Sequence, residues 1–442
     1  MVLTARFLSL AVSAVLLSAI PFASVMAGDL PRPIADLQPA TPEGVLKAGF
    51  QAIADRYIRP VSLLQFVGEG LQGLSRLDSD LAVIVTAGGL TLTYRGTAFH
   101  EYISPESDPG QWAVLVDRIV EDARTVSIRL SRASPAAVCR AIFDRALGSL
   151  DEHSRYYPAA AGNAVGVPNS GRSTPRGGDL SEPSFFDVDS SSGLRSVQSK
   201  FASSGVRGEI ESGIALITIS RFTNGTAGRV QELVGRAATM PGFRGLILDL
   251  RGNPGGPIDE AVLTAQRFLG SGVIVTTSGR TQDANRSFEG NSPVPKEEAP
   301  LVVLIDGQSA SAAEVLAAAL QDRGRAVLIG TTSFGKGTVQ AVIPLPEEVT
   351  LTLTVARFYS PSGYPIDGLG VLPNVCTVAP SPGRSVFEAW RRVTVDDITT
   401  RQKLRLACPA SSRAGANGDL AIARSLLNDS PGYARVLAEG RP

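Results

Sequence analysis

Lysine is scarce in this chain: of 42 cationic side chains only Lys47, Lys200, Lys296, Lys336 and Lys403 are lysines, and the rest are arginines. Lys+Arg and Asp+Glu both number 42, so no broad basic field exists to attract nucleic acid or anionic lipid. The three cysteines, Cys139, Cys376 and Cys408, show no CxxC spacing, which argues against a zinc or redox site. No His/Asp/Glu cluster has ligand spacing, so neither metal nor cofactor is expected. The two histidines, His100 and His153, lie far upstream of the strand-helix region, outside any Gly-x-Ser-x-Gly setting, which argues against a Ser-His-Asp triad. Long apolar runs are missing too. The run from Phe7 to Ile20 follows Arg6 and precedes Val25-Met26-Ala27, and it falls short of the roughly 20 residues a membrane span needs. Residues 1–27 therefore read as an export signal, and the chain is expected to be periplasmic or extracellular. In such a compartment Cys376 and Cys408 either pair, tying the C-terminal segment to the core, or remain free buried thiols. Cys139 lies in a helical pattern and reads as packed.

What is present divides the chain. Around residues 41–77, Thr41-Pro42-Glu43 is a helix start signal, and Val45, Phe50, Ile53, Tyr57 and Ile58 recur at helical spacing. Residues 81–94 alternate and predict a hairpin turning at Gly88-Gly89, after which 111–149 return to helix. Residues 28–157 are thus expected to form a mainly helical N-terminal domain. Residues 158–205 fill with Gly, Ser, Pro and Asn and lose periodicity, as a linker does. From Val206 the pattern changes to a hairpin at 207–219, helices at 226–239, 258–269 and 312–321, and strands at 245–250, 273–277, 301–305, 326–329 and 350–359. Strands alternating with helices predict an α/β fold over 206–378, a mixed sheet with covering helices. Residues 379–442 are expected to be a helical tail with one amphipathic helix at 419–437.

Two segments suggest nucleophilic chemistry. In Ser309-Ala310-Ser311-Ala312-Ala313-Glu314, Ser311 falls between a predicted strand and a helix starting at Ala312. Helix N-terminal amides lack intrahelical acceptors and carry the positive end of the dipole, so the Ala312 amide is a candidate oxyanion donor. The same turn also fits an ordinary N-cap, with Glu314 completing a capping box. About 25 residues on, Lys336 stands between Gly335 and Gly337. A desolvated lysine can lose its proton and act as a base, whereas arginine cannot, which makes Ser311 and Lys336 a candidate nucleophile and base. A third segment, Asp249-Leu250-Arg251-Gly252-Asn253-Pro254-Gly255-Gly256, is a turn whose glycines let backbone amides approach a ligand. Gly255 and Gly256 are candidates for the second oxyanion donor, although Asn-Pro-Gly-Gly is also an ordinary tight turn. Residues 330–336 match a phosphate-binding loop up to its last position, where Gly337 replaces Ser or Thr. The following residues alternate like a strand, so the helix that such a loop requires is missing and nucleotide binding is rejected.

Taken together the segments resemble the carboxyl-terminal processing (tail-specific) serine peptidases. The resemblance runs over about 214–375 and includes Ile217-Thr218-Ile219-Ser220-Arg221-Phe222, the 246–256 and 309–314 segments, Phe334-Gly335-Lys336-Gly337-Thr338-Val339-Gln340, and Ala356-Arg357-Phe358-Tyr359-Ser360-Pro361-Ser362-Gly363. It implies a tail-specific-protease-like core that hydrolyses peptide bonds of protein substrates without a cofactor. In it Ser311 is the nucleophile, Lys336 the base and Gln340 the residue orienting the lysine, on the same face if the chain is extended. Leu150-Asp151-Glu152-His153-Ser154-Arg155-Tyr156-Tyr157 looks like the family's segment before its PDZ domain, with Glu152 where proline is usual. Only about 55 residues separate Tyr157 from Gly213, against the roughly 80 to 100 a PDZ domain needs. The PDZ domain is expected to be missing or reduced, which leaves substrate capture to other means, an adaptor or activator protein among them. The alternative is a catalytically inactive peptide-binding or scaffold relative of the same fold.

Overall fold

A computed structural model describes residues 42–86, 89–158, 205–291, 298–378, 392–394, 397–412 and 417–439. The expected export signal, nearly all of the expected linker or PDZ remnant and Gly88 of the expected hairpin turn lie outside them.

The N-terminal part is helical as expected, with α1 (Pro42–Arg56), α2 (Leu63–Gln72), α3 (Pro109–Val126), α4 (Ile128–Arg132) and α5 (Pro135–Gly148). Strong start signals fix two of them. Asp108 accepts hydrogen bonds from the amides of Gly110 (2.7 Å) and Gln111 (3.0 Å) with Pro109 at the first helical position, and Ser134 accepts from Ala137 (3.2 Å) ahead of Pro135. On α3, Trp112, Val116, Ile119 and Ala123 recur at helical spacing and are buried. The expected hairpin is the first half of a three-stranded antiparallel meander, β1 (Leu81–Thr86), β2 (Gly89–Tyr94) and β3 (Thr97–Glu101). A short strand, β4 (Arg155–Tyr157), closes this part, with Tyr156 stacked on Phe143 at 4.9 Å between ring centroids.

The second part is the mixed sheet with covering helices. Its elements are β5 (Val206–Glu211), β6 (Ile214–Ile219), α6 (Thr226–Ala238), β7 (Gly245–Asp249), α7 (Ile258–Leu269), β8 (Gly272–Gly279), β9 (Arg286–Gly290), β10 (Leu301–Ile305), α8 (Ala312–Asp322), β11 (Val327–Gly330), β12 (Thr338–Pro344), β13 (Thr350–Tyr359) and β14 (Val375–Cys376). The main sheet has the order β14-β11-β10-β7-β6-β5, parallel except for β5. Strands β7, β10 and β11 are buried along their whole length, which is why their sequence is continuously apolar rather than alternating. Alternate residues nevertheless serve different layers. Leu246, Leu248, Val303 and Ile305 pack with Val230 of α6, Phe268 of α7 and Leu316 of α8. Ile247, Val302, Leu304 and Ile329 pack instead with Ala423, Leu427 and Tyr433.

Those last three residues belong to the C-terminal tail, which holds α9 (Ile398–Ala407), α10 (Asn417–Asn428) and α11 (Ser430–Glu439). The single helix expected at 419–437 is two. Asp429 accepts from the Gly432 amide at 3.1 Å, and Pro431 sits in the new first turn, so Asp429-Ser430-Pro431 starts a second helix. Cys376 and Cys408 form a disulfide, which settles the open choice in favour of pairing. Cys139 is a free buried thiol that burial pushes up to about 12.

A second sheet, β12-β13-β8-β9 with β4 added to β13, connects the two parts. Leu351, Leu353 and Val355 of β13 are buried in the N-terminal helical core, and Val339, Ala341 and Ile343 of β12 pack against it. The hairpin that follows Lys336 therefore rests on the N-terminal helices.

Candidate active site

The segments singled out in the sequence leave the carboxyl ends of three adjacent parallel strands, β7, β10 and β11, where open α/β sheets bind ligands. Buried Asp306 organises the turn after β10. Its Oδ1 accepts from the amides of Gly252 (2.9 Å), Gln308 (3.0 Å) and Ser309 (3.1 Å). The Ser309 hydroxyl donates to the Leu250 carbonyl at 2.8 Å, and the Ala310 amide to the Asn253 carbonyl at 2.9 Å, so the turns after β7 and β10 are bonded together.

Ser311 follows with φ 55° and ψ −118°, a backbone conformation that L-residues avoid at a cost of about 1–3 kcal/mol. A Cβ added to Gly255 would stand 2.8 Å from Ser311 Cβ and 3.0 Å from the Ala312 nitrogen, so only glycine lets the 253–256 turn approach this closely. One expectation is corrected here. The Gly255 amide already donates to Asn253 Oδ1 at 2.8 Å, because the Asn-Pro-Gly-Gly turn uses its own asparagine to close. The amides of Gly256 and Ala312 have no acceptor among the described residues.

Glu314 joins Ser311 to the lysine loop. Its Oε2 accepts from the Ser311 amide and from the Lys336 amide, each at 2.9 Å. Its Oε1 accepts from the Gly335 amide at 2.6 Å and from the Ser333 hydroxyl. Glu314 is fully buried, and burial pushes its carboxyl up to about 7 against the pull of these four hydrogen bonds. The capping pair read from the sequence is present in its glutamate half, but the same carboxylate also holds the opposite loop. One signal pointed to this: Glu314 is the only charge among residues 312–321 of α8, all of them buried, and a buried charge requires partners.

Lys336 is half-buried in the loop before β12, and its amine has no hydrogen-bond or ion-pair partner among the described residues. No hydrogen bond joins it to Ser311 Oγ. Gln340 lies on β12, where its Nε2 donates to Thr338 Oγ1 at 2.7 Å rather than to Lys336. Strand β12 begins only at Thr338, so the extended run assumed from Lys336 to Gln340 starts two residues late. At Gln340 the ladder with β13 is irregular: Val339 pairs with Ala356 and Gln340 with Thr354, leaving Val355 as the extra residue. Thr354 is fixed from behind by Ser154 Oγ (3.2 Å) and Asp151 Oδ1 (3.2 Å), which belong to the 150–157 segment.

A strand follows Lys336, as the rejection of a phosphate loop required. His100 bonds Thr91 on the N-terminal meander and His153 sits in the Asp151 turn; neither lines these loops. Among the described residues no His/Cys/Asp/Glu group could hold a metal, and no helix is long and apolar enough to cross a membrane.

Residues 213–377, which carry the serine, lysine and glycine turns, match peptidase family S41. That segment of the chain is similar to the carboxyl-terminal-processing serine peptidases. It is 39% identical over 200 residues to a carboxy-terminal-processing protease of Bartonella bacilliformis, covering 45% of this chain and 46% of that one. It is 42% identical over 130 residues to a carboxyl-terminal-processing protease of a Picosynechococcus species, covering 29% and 30%. Thus the match spans less than half the length of these relatives. A solved structure of a photosystem II D1 C-terminal processing protease is 32% identical, covering 36% of this chain and 41% of that one, with a TM-score of 0.34.

Proposed function

We propose that this protein is an exported serine endopeptidase that cleaves protein substrates with Ser311 and Lys336. The observation that supports it most is the single Glu314 oxygen that accepts the amides of both residues, which fixes nucleophile and base on one anchor. In this reading the neutral Lys336 amine takes the Ser311 proton as Oγ bonds to the peptide carbonyl carbon. The amides of Gly256 and Ala312 receive the oxyanion, and the lysine ammonium then protonates the leaving amine. Water, activated by the same amine, releases the acyl group. Gln340 orients the lysine once substrate draws the two side chains together, since catalytic hydrogen bonds often tighten only in the complex.

A cavity of about 250 Å³ adjoins these loops. Ile258, Phe288, Val339, Ala341 and Phe358 give it apolar walls, with Gln340 among its lining. Ile258 opens α7 just past Gly256 and Pro257, so the cavity lies between the oxyanion turn and β12. Its apolar walls suit an aliphatic side chain of the substrate, while Arg56, Asp283 and Arg286 give the same cavity a charged side. The test is digestion of an unstructured polypeptide by purified protein beside its Ser311→Ala variant. Fragments only with the wild type support the reading; equal inertness of both favours the peptide-binding scaffold.

A further inference from the structure

We propose that Arg405 is a positioning residue for the base loop, carried by a C-terminal strap, residues 405–412, that the Cys376–Cys408 disulfide latches to the main sheet. This rests on the reading of Lys336 as the base.

The loop before Lys336 has its backbone groups claimed from two sides. Below it, Glu314 accepts the Gly335 and Lys336 amides. On the other side the Arg405 guanidinium donates to three carbonyls, those of Phe334 (2.9 Å), Ser333 (3.4 Å) and Gly368. The Gly368 amide in turn donates to the Gly335 carbonyl at 3.0 Å. Gly335 has φ +92°, and a Cβ there would lie 3.1 Å from an Arg405 nitrogen, so the glycine makes room for the guanidinium. A planar, permanently charged fork can serve several carbonyls at once, which a lysine cannot do as well.

The strap beyond Arg405 reaches both loops of the site. The Thr332 hydroxyl donates to the Cys408 carbonyl, and the Thr331 hydroxyl to the Ser411 carbonyl at 3.0 Å. On the nucleophile side, the Gly307 amide donates to the Ser411 carbonyl at 2.9 Å and the Ser412 hydroxyl to Gln308 Oε1 at 3.0 Å. Helix α9 delivers this strap, and its apolar hold on the core is limited to the partly buried Ile398 and Leu404. Its only buried residue is Arg401, which lies over the Tyr364 ring, and Leu406 is 76% exposed. The covalent hold compensates. Cys408 caps α9 and is fully buried, and Cys376 pairs with Gly330 at the end of β11, the residue from which the lysine loop issues. The disulfide therefore fixes Arg405 relative to the very strand that carries the loop.

The test compares wild type, Arg405→Gln and Arg405→Lys, each with the disulfide intact and after a dithiol reductant. The reductant supplies two electrons and two protons, opens the S–S bond to two thiols and is itself oxidised to a disulfide. For Arg405→Gln, kcat is expected to fall on the order of 10- to 100-fold with KM changed less than about 2-fold, because the bound substrate is unaffected while the base is displaced. Arg405→Lys restores part of kcat, and reduction lowers wild-type kcat while adding little to Arg405→Gln. Hydrogen exchange at the Gly335 and Lys336 amides, measured in the Ser311→Ala background, is expected to quicken on reduction or with Arg405→Gln, and needs no turnover. Unchanged exchange and kcat in Arg405→Gln, or indifference of both to reduction, overturns the proposal. If wild type cleaves nothing that Ser311→Ala does not, the peptidase reading fails while the exchange measurement still decides whether the strap holds the loop.

Discussion

Ser311 and Lys336 leave the carboxyl ends of neighbouring strands, β10 and β11, but the structure holds them in different ways. The serine turn grows from fully buried sheet, is bonded to the turn after β7 through Asp306, Ser309 and Ala310, and carries a strained backbone that these bonds maintain. The lysine loop leads instead into β12, at the end of the second sheet, whose inner face rests on the N-terminal helices and whose outer residue Val342 is 53% exposed. One half is preset by the core. The other is held by partners drawn from outside that sheet, and Glu314 is where they meet.

The largest losses are expected where the two halves carry the reacting groups. Ser311→Ala and Lys336→Arg are each expected to lower peptide cleavage by at least about 10⁴-fold while thermal melting stays near wild type, since arginine keeps the charge but cannot give up its proton. Substantial activity in Lys336→Arg would mean that the lysine half contributes only charge. Next in size, Glu314→Ala strands four donors at once, the Ser333 hydroxyl fully buried and three amides partly so. A loss of about 3 kcal/mol or more in denaturant unfolding is expected, with cleavage reduced on the order of 100-fold. Loss of stability without loss of activity would show that the shared oxygen is not what aligns the halves.

A smaller effect should separate the two supports. Leu353→Ala, in the core beneath β12 and β13, is expected to cost about 2–5 kcal/mol. Gln340→Ala, on the same hairpin, should leave stability within about 0.5 kcal/mol yet reduce kcat on the order of 10-fold. The smallest expected effect is on pH. Native Glu314, raised to about 7, keeps its proton where the unfolded carboxyl, near its ordinary 4.5, has lost it. The native state then binds more protons, so this group makes stability fall as pH rises from about 4.5 to about 7. Glu314→Gln should flatten that slope in melting scans; an unaltered slope assigns it to other groups.

Much of the architecture was legible because apolar runs and turn residues carry local information. Helix α7 and strand β13 begin and end where their patterns do, and the rejected phosphate loop leads into a strand, as its alternation indicated. The tail was harder. A continuous apolar face runs through residues 417–439, and the break at Asp429 depends on a cap that periodicity does not register. At the site, residue types were readable but their partners were not. Asn253 takes the Gly255 amide and Thr338 the Gln340 carboxamide through contacts two residues apart that compete with the expected roles, whereas Glu314 serving both loops is a matter of three-dimensional placement.

By itself the sequence determined a mixed sheet with covering helices, a mainly helical part before it, and a serine, a lysine and a glycine turn after successive strands, because hydrophobic period and turn chemistry act over a few residues. Only the tertiary structure decided that Cys376 pairs with Cys408, which amides stay open, and that Glu314 and Arg405 grip one loop from opposite sides. Those contacts join residues 19 to 72 positions apart, and packing rather than local preference brings such distant groups within hydrogen-bonding reach.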